Sequence, residues 1–211
     1  MDTSIKFNNL NNNVYFDGIG GEWTLIDSLQ LGNSITNQNC IYFVNGNLNT
    51  NSQNVDCFSF YSTQSTPRKL TLENSEIRVQ NYWYVYGNNL TLDENQSVIQ
   101  VDSGRFIHNL GNYCPYHVVN FNHPFVNQEL ICRLVDSVFF DTITFHNPNC
   151  KMYGYSGTVY GHDVRFEGIG QINDPIDAVP NIYIIDSLYF NSTGTIYGND
   201  TIRNFVNFNS T

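Results

Sequence analysis

The sequence predicts an all-β fold: a single right-handed parallel β-helix, or β-solenoid, whose backbone winds in stacked coils. Three observations predict it. Short phrases recur with small changes. Trp23-Thr24-Leu25-Ile26-Asp27-Ser28-Leu29 returns as Arg133-Leu134-Val135-Asp136-Ser137-Val138 and as Tyr183-Ile184-Ile185-Asp186-Ser187-Leu188, and Gly157-Thr158-Val159-Tyr160-Gly161 returns as Gly194-Thr195-Ile196-Tyr197-Gly198. Apolar residues alternate along most of the chain and nowhere keep helical spacing beyond two turns. Clean two-residue hairpin turns are rare, and the common turn residue is Asn, which tolerates the left-handed backbone that a corner between sheets requires. The alternative built from the same short strands is an antiparallel β-sandwich, which needs those hairpins.

The strands follow in order. Ile5 to Leu10 reads as the first, and the Trp23–Leu31 phrase as the next. Val44-Asn45-Gly46-Asn47-Leu48 and Leu70-Thr71-Leu72 alternate, with Ile77-Arg78-Val79 and Tyr82-Trp83-Tyr84-Val85-Tyr86 beyond them. Leu90-Thr91-Leu92 follows Leu70-Thr71-Leu72 after about 20 residues, one coil later. Val98–Val101, Val118–Phe121, Val138–Phe140, Ile143–Phe145 and Asn204–Phe208 complete the series, each rich in β-branched and aromatic residues. Asn at equivalent corners is expected to bond its own copy on the next coil. Irregular excursions are expected near 111–128 and 171–181, where Pro, His and Asp interrupt the alternation. The whole chain, 1–211, reads as one domain. Neither terminus carries an obvious polar cap, so the expected object is a fragment with open ends whose solenoid continues in a larger chain.

Composition narrows the function classes. Hydrophobic residues make up 41 %, an ordinary share for a packed core, but charged residues only 13 %. The net charge is −10, and Arg68-Lys69 is the only adjacent basic pair. Nucleic acid is therefore excluded as a partner, because displacing counterions from phosphates needs clustered Lys and Arg. No apolar run of about 18 residues exists, so no membrane insertion is expected. No signal-peptide pattern opens the sequence.

There are five cysteines and no CxxC pair. Cys40 to Cys57, Cys114 to Cys132 and Cys132 to Cys150 are each spaced by roughly 18 residues, close to one solenoid coil. Several are expected at equivalent inward positions on neighbouring coils, as small buried hydrophobes. First-shell His or Asp partners at matching offsets are missing, so no metal site and no cofactor are expected.

Phe7-Asn8-Asn9-Leu10, Gly21-Glu22-Trp23-Thr24-Leu25-Ile26-Asp27-Ser28-Leu29, Gly46-Asn47-Leu48-Asn49 and Leu70-Thr71-Leu72-Glu73-Asn74-Ser75-Glu76-Ile77 run in that order, and Gly194 to Phe205 continues the style. Together they resemble the pectin-lyase-like, right-handed β-helix regions of secreted Bacteroidetes surface proteins. The resemblance implies an extracellular or cell-surface protein of adhesin type.

Candidate chemistry is sparse. A polysaccharide lyase needs an Asp cluster and a nearby base. The nearest matches are Asp102 with Arg105, and His162-Asp163 with Arg165. Each is a lone carboxylate beside a basic group. No Asp-Asp pair or nucleophile elbow exists. Aromatic residues reach 15 %, and Tyr82, Trp83, Tyr84 and Tyr86 offer a strip suited to sugar faces. The expected function is a non-catalytic extracellular structural or adhesive module contacting carbohydrate or host-surface polymers. The alternative is a carbohydrate-active β-helix, a lyase or a glycoside hydrolase.

Overall fold

The computed structural model describes residues 5–6, 12–32, 38–109, 114–122, 130–135, 137–146, 149–155, 157–172, 182–198 and 200–208. Among these the regular elements are strands, with no helix. The strands pair in parallel, and successive coils stack as a right-handed-type β-solenoid. One 17-stranded sheet wraps most of the molecule, and a 4-stranded sheet closes the N-terminal coils.

Register fixes the architecture. Val55 faces Ile77, which faces Ile99, and the column continues through Val119, Ile143, Val164 and Leu188, in steps of 20 to 24 residues. This is the first face of the solenoid. A second column runs through Ile41, Phe60, Trp83 and Phe106. In the N-terminal coils a third face is the small sheet, with Leu48, Leu70 and Leu92 in line. From Cys114 onward the third side is instead continuous with the first, as in strands Cys114–Phe121, Val138–Phe145 and Thr158–Phe166. Every column residue named here is buried except Leu92, which is partly exposed but packs against the core. Period-2 alternation dictates this: each strand turns one parity inward.

Little space is left inside: a cavity in the N-terminal coils of about 10 Å3 is walled by residues such as Phe16, Leu48, Phe60 and Trp83. Inside, Phe121, Phe145, Phe166 and Phe190 stack ring on ring at 4.6, 4.6 and 5.1 Å. Parallel in-register pairing places identical side chains about 4.8 Å apart, which is the stacking distance of aromatic rings.

Within the segments read as excursions, Cys114–Phe121 is a strand and 171–172 end the strand Ile169–Ile172, while residues 111–113, 123–128 and 173–181 lie outside the described residues. Two other expectations need correction. Cys40, Cys57 and Cys150 are buried. They do not form a column, because the coils are longer than 18 residues: Cys40 faces Ser59, Cys57 faces Val79, and Cys150 faces Leu130. Three corners of the N-terminal coils use left-handed backbone at Asn51, Glu73 and Asn95, each four residues before its column residue. Their side chains form no Asn ladder. Asn51 donates to the Leu25 carbonyl at 3.1 Å, and Glu73 accepts from Asn49 and Ser52, both at 3.1 Å. A carbonyl or carboxylate of the adjacent coil is the stronger acceptor within reach.

Candidate functional site

The outward parity of the second face carries tyrosines. Tyr15 faces Tyr42, Tyr42 faces Tyr61, and Tyr61 faces Tyr84. Tyr15 and Tyr42 stack at 4.8 Å and 10°, and Tyr42 and Tyr61 at 5.3 Å and 17°. These rings cover one another's faces and present their edges and hydroxyls. Partial burial raises the Tyr42 and Tyr61 phenols above their usual range. Above Tyr61 the row splays. Tyr82 is tilted against it at 6.3 Å and 37°, Tyr84 meets it edge-on at 6.2 Å, and Tyr86 meets Tyr84 edge-on at 6.4 Å. Splayed rings expose π-faces, which a closed stack does not. The ribbon narrows beyond this point, where Ile107 follows Tyr84 in register.

Trp83 is removed from the expected strip. Its parity is inward and it is fully buried, stacked on Phe60 at 4.7 Å, with its indole N–H donating to the Tyr116 hydroxyl at 3.3 Å. Alternation requires this: Tyr82, Tyr84 and Tyr86 can share a face only if Trp83 and Val85 take the other. Tyr15, Tyr42 and Tyr61 were not legible as members of the row, because they lie 19 to 27 residues apart and only the coil register aligns them.

The first face carries the charge. A shallow cleft of about 180 Å3 is lined by Gln30, Asn54, Val55, Asp56, Glu76 and Arg78. Asp102 borders it from one coil further on. Its carboxylate, nearly buried, takes a hydrogen bond from Arg78 Nε at 2.6 Å. That bond holds the Arg78 guanidinium above its usual range. Asp102 thus joins Arg78, and no ion pair links it to Arg105, which is exposed on the second face beside Tyr82. Corners separate residues three apart while stacking unites residues 24 apart, so Asp56, Glu76 and Arg78 carried no sequence signal as neighbours of Asp102.

The second candidate group does assemble, but its charges are paired. Arg165 donates to Asp163 at 2.9 Å and lies 4.8 Å over the Tyr189 ring. His162 bonds Asp186 of the next coil at 3.0 Å, and Arg203 approaches the same carboxylate at 3.6 Å. The hydrogen bond to Asp186 raises the His162 imidazole above its usual value. Among the described residues no group of three or more His, Cys, Asp and Glu side chains is arranged to hold a metal ion. Comparison with family models, with curated proteins and with solved structures finds no match to this chain. What is established about its kinship is therefore the architecture, a parallel β-solenoid.

Proposed function

We propose that this chain is a non-catalytic structural or adhesive module of a larger extracellular protein, and that it contacts carbohydrate through the splayed tyrosines Tyr82, Tyr84 and Tyr86. The observation that carries the reading is the change from closed stack to open fan along the tyrosine row. A pyranose presents an apolar C–H face and a rim of hydroxyls. An open phenol ring matches the first by area and the second by its O–H. The low charge of the surface supports a neutral glycan. Membership of the pectin-lyase-like group, a Bacteroidetes source and secretion belong to this same reading; they rest on the phrases Gly21 to Leu29 and Leu70 to Ile77 together with the solenoid form.

The test is binding of a panel of soluble oligosaccharides, followed by calorimetry on the best. Tyr84→Ala and Tyr86→Ala together should weaken binding at least about tenfold, the loss of roughly 1.4 kcal/mol expected when a stacking surface is removed. Equal binding by the double variant, or no binding by the wild type, would overturn it.

A second reading, a carbohydrate-active β-helix enzyme, is favoured by one specific observation: Asp56, Glu76, Arg78 and Asp102 come from consecutive coils and gather at one cleft. The same polysaccharide panel decides it. New reducing ends or unsaturated products, abolished by Glu76→Gln, would establish the enzyme and displace the adhesive module.

A further inference from the structure

The corner between the third side and the first face in the C-terminal coils carries a column of alternating charge. Strands Cys114–Phe121, Val138–Phe145, Thr158–Phe166 and Ile182–Phe190 each break parity there, so that two successive side chains lie outside the core registers. On one side of the break Tyr116, Phe140, Gly161 and Ile185 face one another; on the other Val118, Thr142, Asp163 and Ser187 do. The residues between are His117, Asp141, His162 and Asp186. Glu94 precedes them at the coil below, where His117 acts electrostatically on its carboxyl, and Arg203 follows from the coil above. The order along the axis is acid, His, acid, His, acid, Arg.

Bonds cross the coil gaps. His117 Nδ1 lies 2.8 Å from Asp141, His162 Nδ1 lies 3.0 Å from Asp186, and Arg203 reaches Asp186 at 3.6 Å. A neighbouring pair, His146 and Glu167, repeats the contact at 2.7 Å one corner away. Among the described residues every His that is not in the core bridges two successive coils this way, and all lie between residues 117 and 186. Coils are about 4.8 Å apart, so like charges two coils apart sit about 9.6 Å apart. With both imidazoles neutral, the column leaves Glu94 and Asp141 repelling at that distance, while Asp186 keeps Arg203 and Asp163 keeps Arg165. With both protonated, each of these carboxylates has a cation at the nearer distance.

We propose that this corner is an acid-tightened zipper: protonation of His162 against Asp186, in line with the His117–Asp141 contact, completes an alternating row of charges that clamps the C-terminal coils together, and deprotonation loosens them. His162 is held above its ordinary value by Asp186, with Asp163 and Asp141 adding to the effect. A base raised in this way stabilises the fold fully below about pH 6.5, and the contribution is lost as pH rises through the folded value. The chain before His108 contains no histidine, so the cross-coil links there, such as Arg78 to Asp102 and Asn49 to Glu73, are of another kind.

Hydrogen exchange on the intact chain tests this. Protection is compared at about pH 6 and about pH 8.5 after correction for the intrinsic rate, with strand Glu76–Tyr86 as the internal reference. In the wild type, protection of 158–166 and 182–190 relative to that strand should fall several-fold on going to the higher pH. In His117→Gln/His162→Gln the change of the ratio with pH should be much smaller, His146 keeping its contact with Glu167, and about 1 M salt should weaken the wild-type change by screening. Identical pH dependence in wild type and variant would overturn the proposal. Should the double variant not fold, the imidazole of His162 is followed by NMR in the wild type and in Asp186→Asn; an unchanged titration midpoint overturns it equally.

Discussion

His108 is a neutral imidazole sealed in the core beside two side chains, Tyr116 and Trp83. It is fully buried, and its Nδ1 lies 3.0 Å from the Tyr116 hydroxyl. Trp83 donates its N–H to the same oxygen, and Nε2 of the imidazole has no partner. Burial depresses the His108 pKa to about 3. The unfolded chain then takes up this proton first as pH falls. Stability from His108 is complete above about pH 6.5 and is lost progressively toward pH 3, by an amount on the order of 4 kcal/mol. His108→Leu, which matches Leu134 one coil above in register, should flatten the fall in urea midpoint between about pH 6.5 and pH 4. An unaltered slope would show that His108 is not the acid-sensitive group. This effect is opposite in sign to the corner histidines, which gain from the proton because carboxylates face them. The position of His108 inside was predictable in parity once Phe106 was placed inward; its lack of a carboxylate neighbour was not.

Stacked columns are the stabilising elements of this fold, and the two aromatic ones differ by the side of the sheet they occupy. Phe145 lies between Phe121 and Phe166 at 4.6 Å from each. Phe145→Ala opens a cavity that rigid neighbours cannot fill, and should cost about 3–5 kcal/mol in equilibrium urea unfolding. Tyr42 lies between Tyr15 and Tyr61 with comparable spacing but remains half-exposed. Tyr42→Ala should cost about 1 kcal/mol, mostly stacking, because water already solvates the ring edge. Equal costs at the two positions would mean that burial is not what separates them. The glycine at position 46 shows how tightly the N-terminal corner is drawn: its φ is +81°, and a Cβ there would come within 2.5 Å of the Gly21 carbonyl oxygen. The strands themselves were legible in the sequence. Leu70–Leu72, Val98–Val101 and Ile143–Phe145 fall inside or across observed strands because alternation is a local property. The partners across coils were not, since register depends on the length of every intervening corner.

At the scale of the molecule, each coil touches only its neighbours, so stability is a sum of coil-to-coil contacts. Val206 and Ile196, in the last described coils, are each more than a third exposed, whereas Val164 and Ile172 below them are buried. The repeated phrases illustrate what a linear pattern can and cannot say. Leu29 and Leu188 lie on the first-face column, but Val138, their counterpart in the third copy, is in register with Val159 and Tyr183 on another side. Val159 and Ile196, equivalent in the second phrase, also fall on different sides. The phrases mark strands of similar chemistry rather than equivalent positions in a coil. By itself the amino-acid order determined the class of structure: alternation, absent helical spacing and Asn-rich corners leave little except parallel coils around an apolar interior, because those terms act within a few residues. Only the tertiary structure decided which side chains meet. The closed stack of Tyr15, Tyr42 and Tyr61, the Asp56–Arg78–Asp102 cleft and the His–carboxylate corner each join residues about one coil apart, and the coils vary in length, so their alignment is a property of the stacked whole.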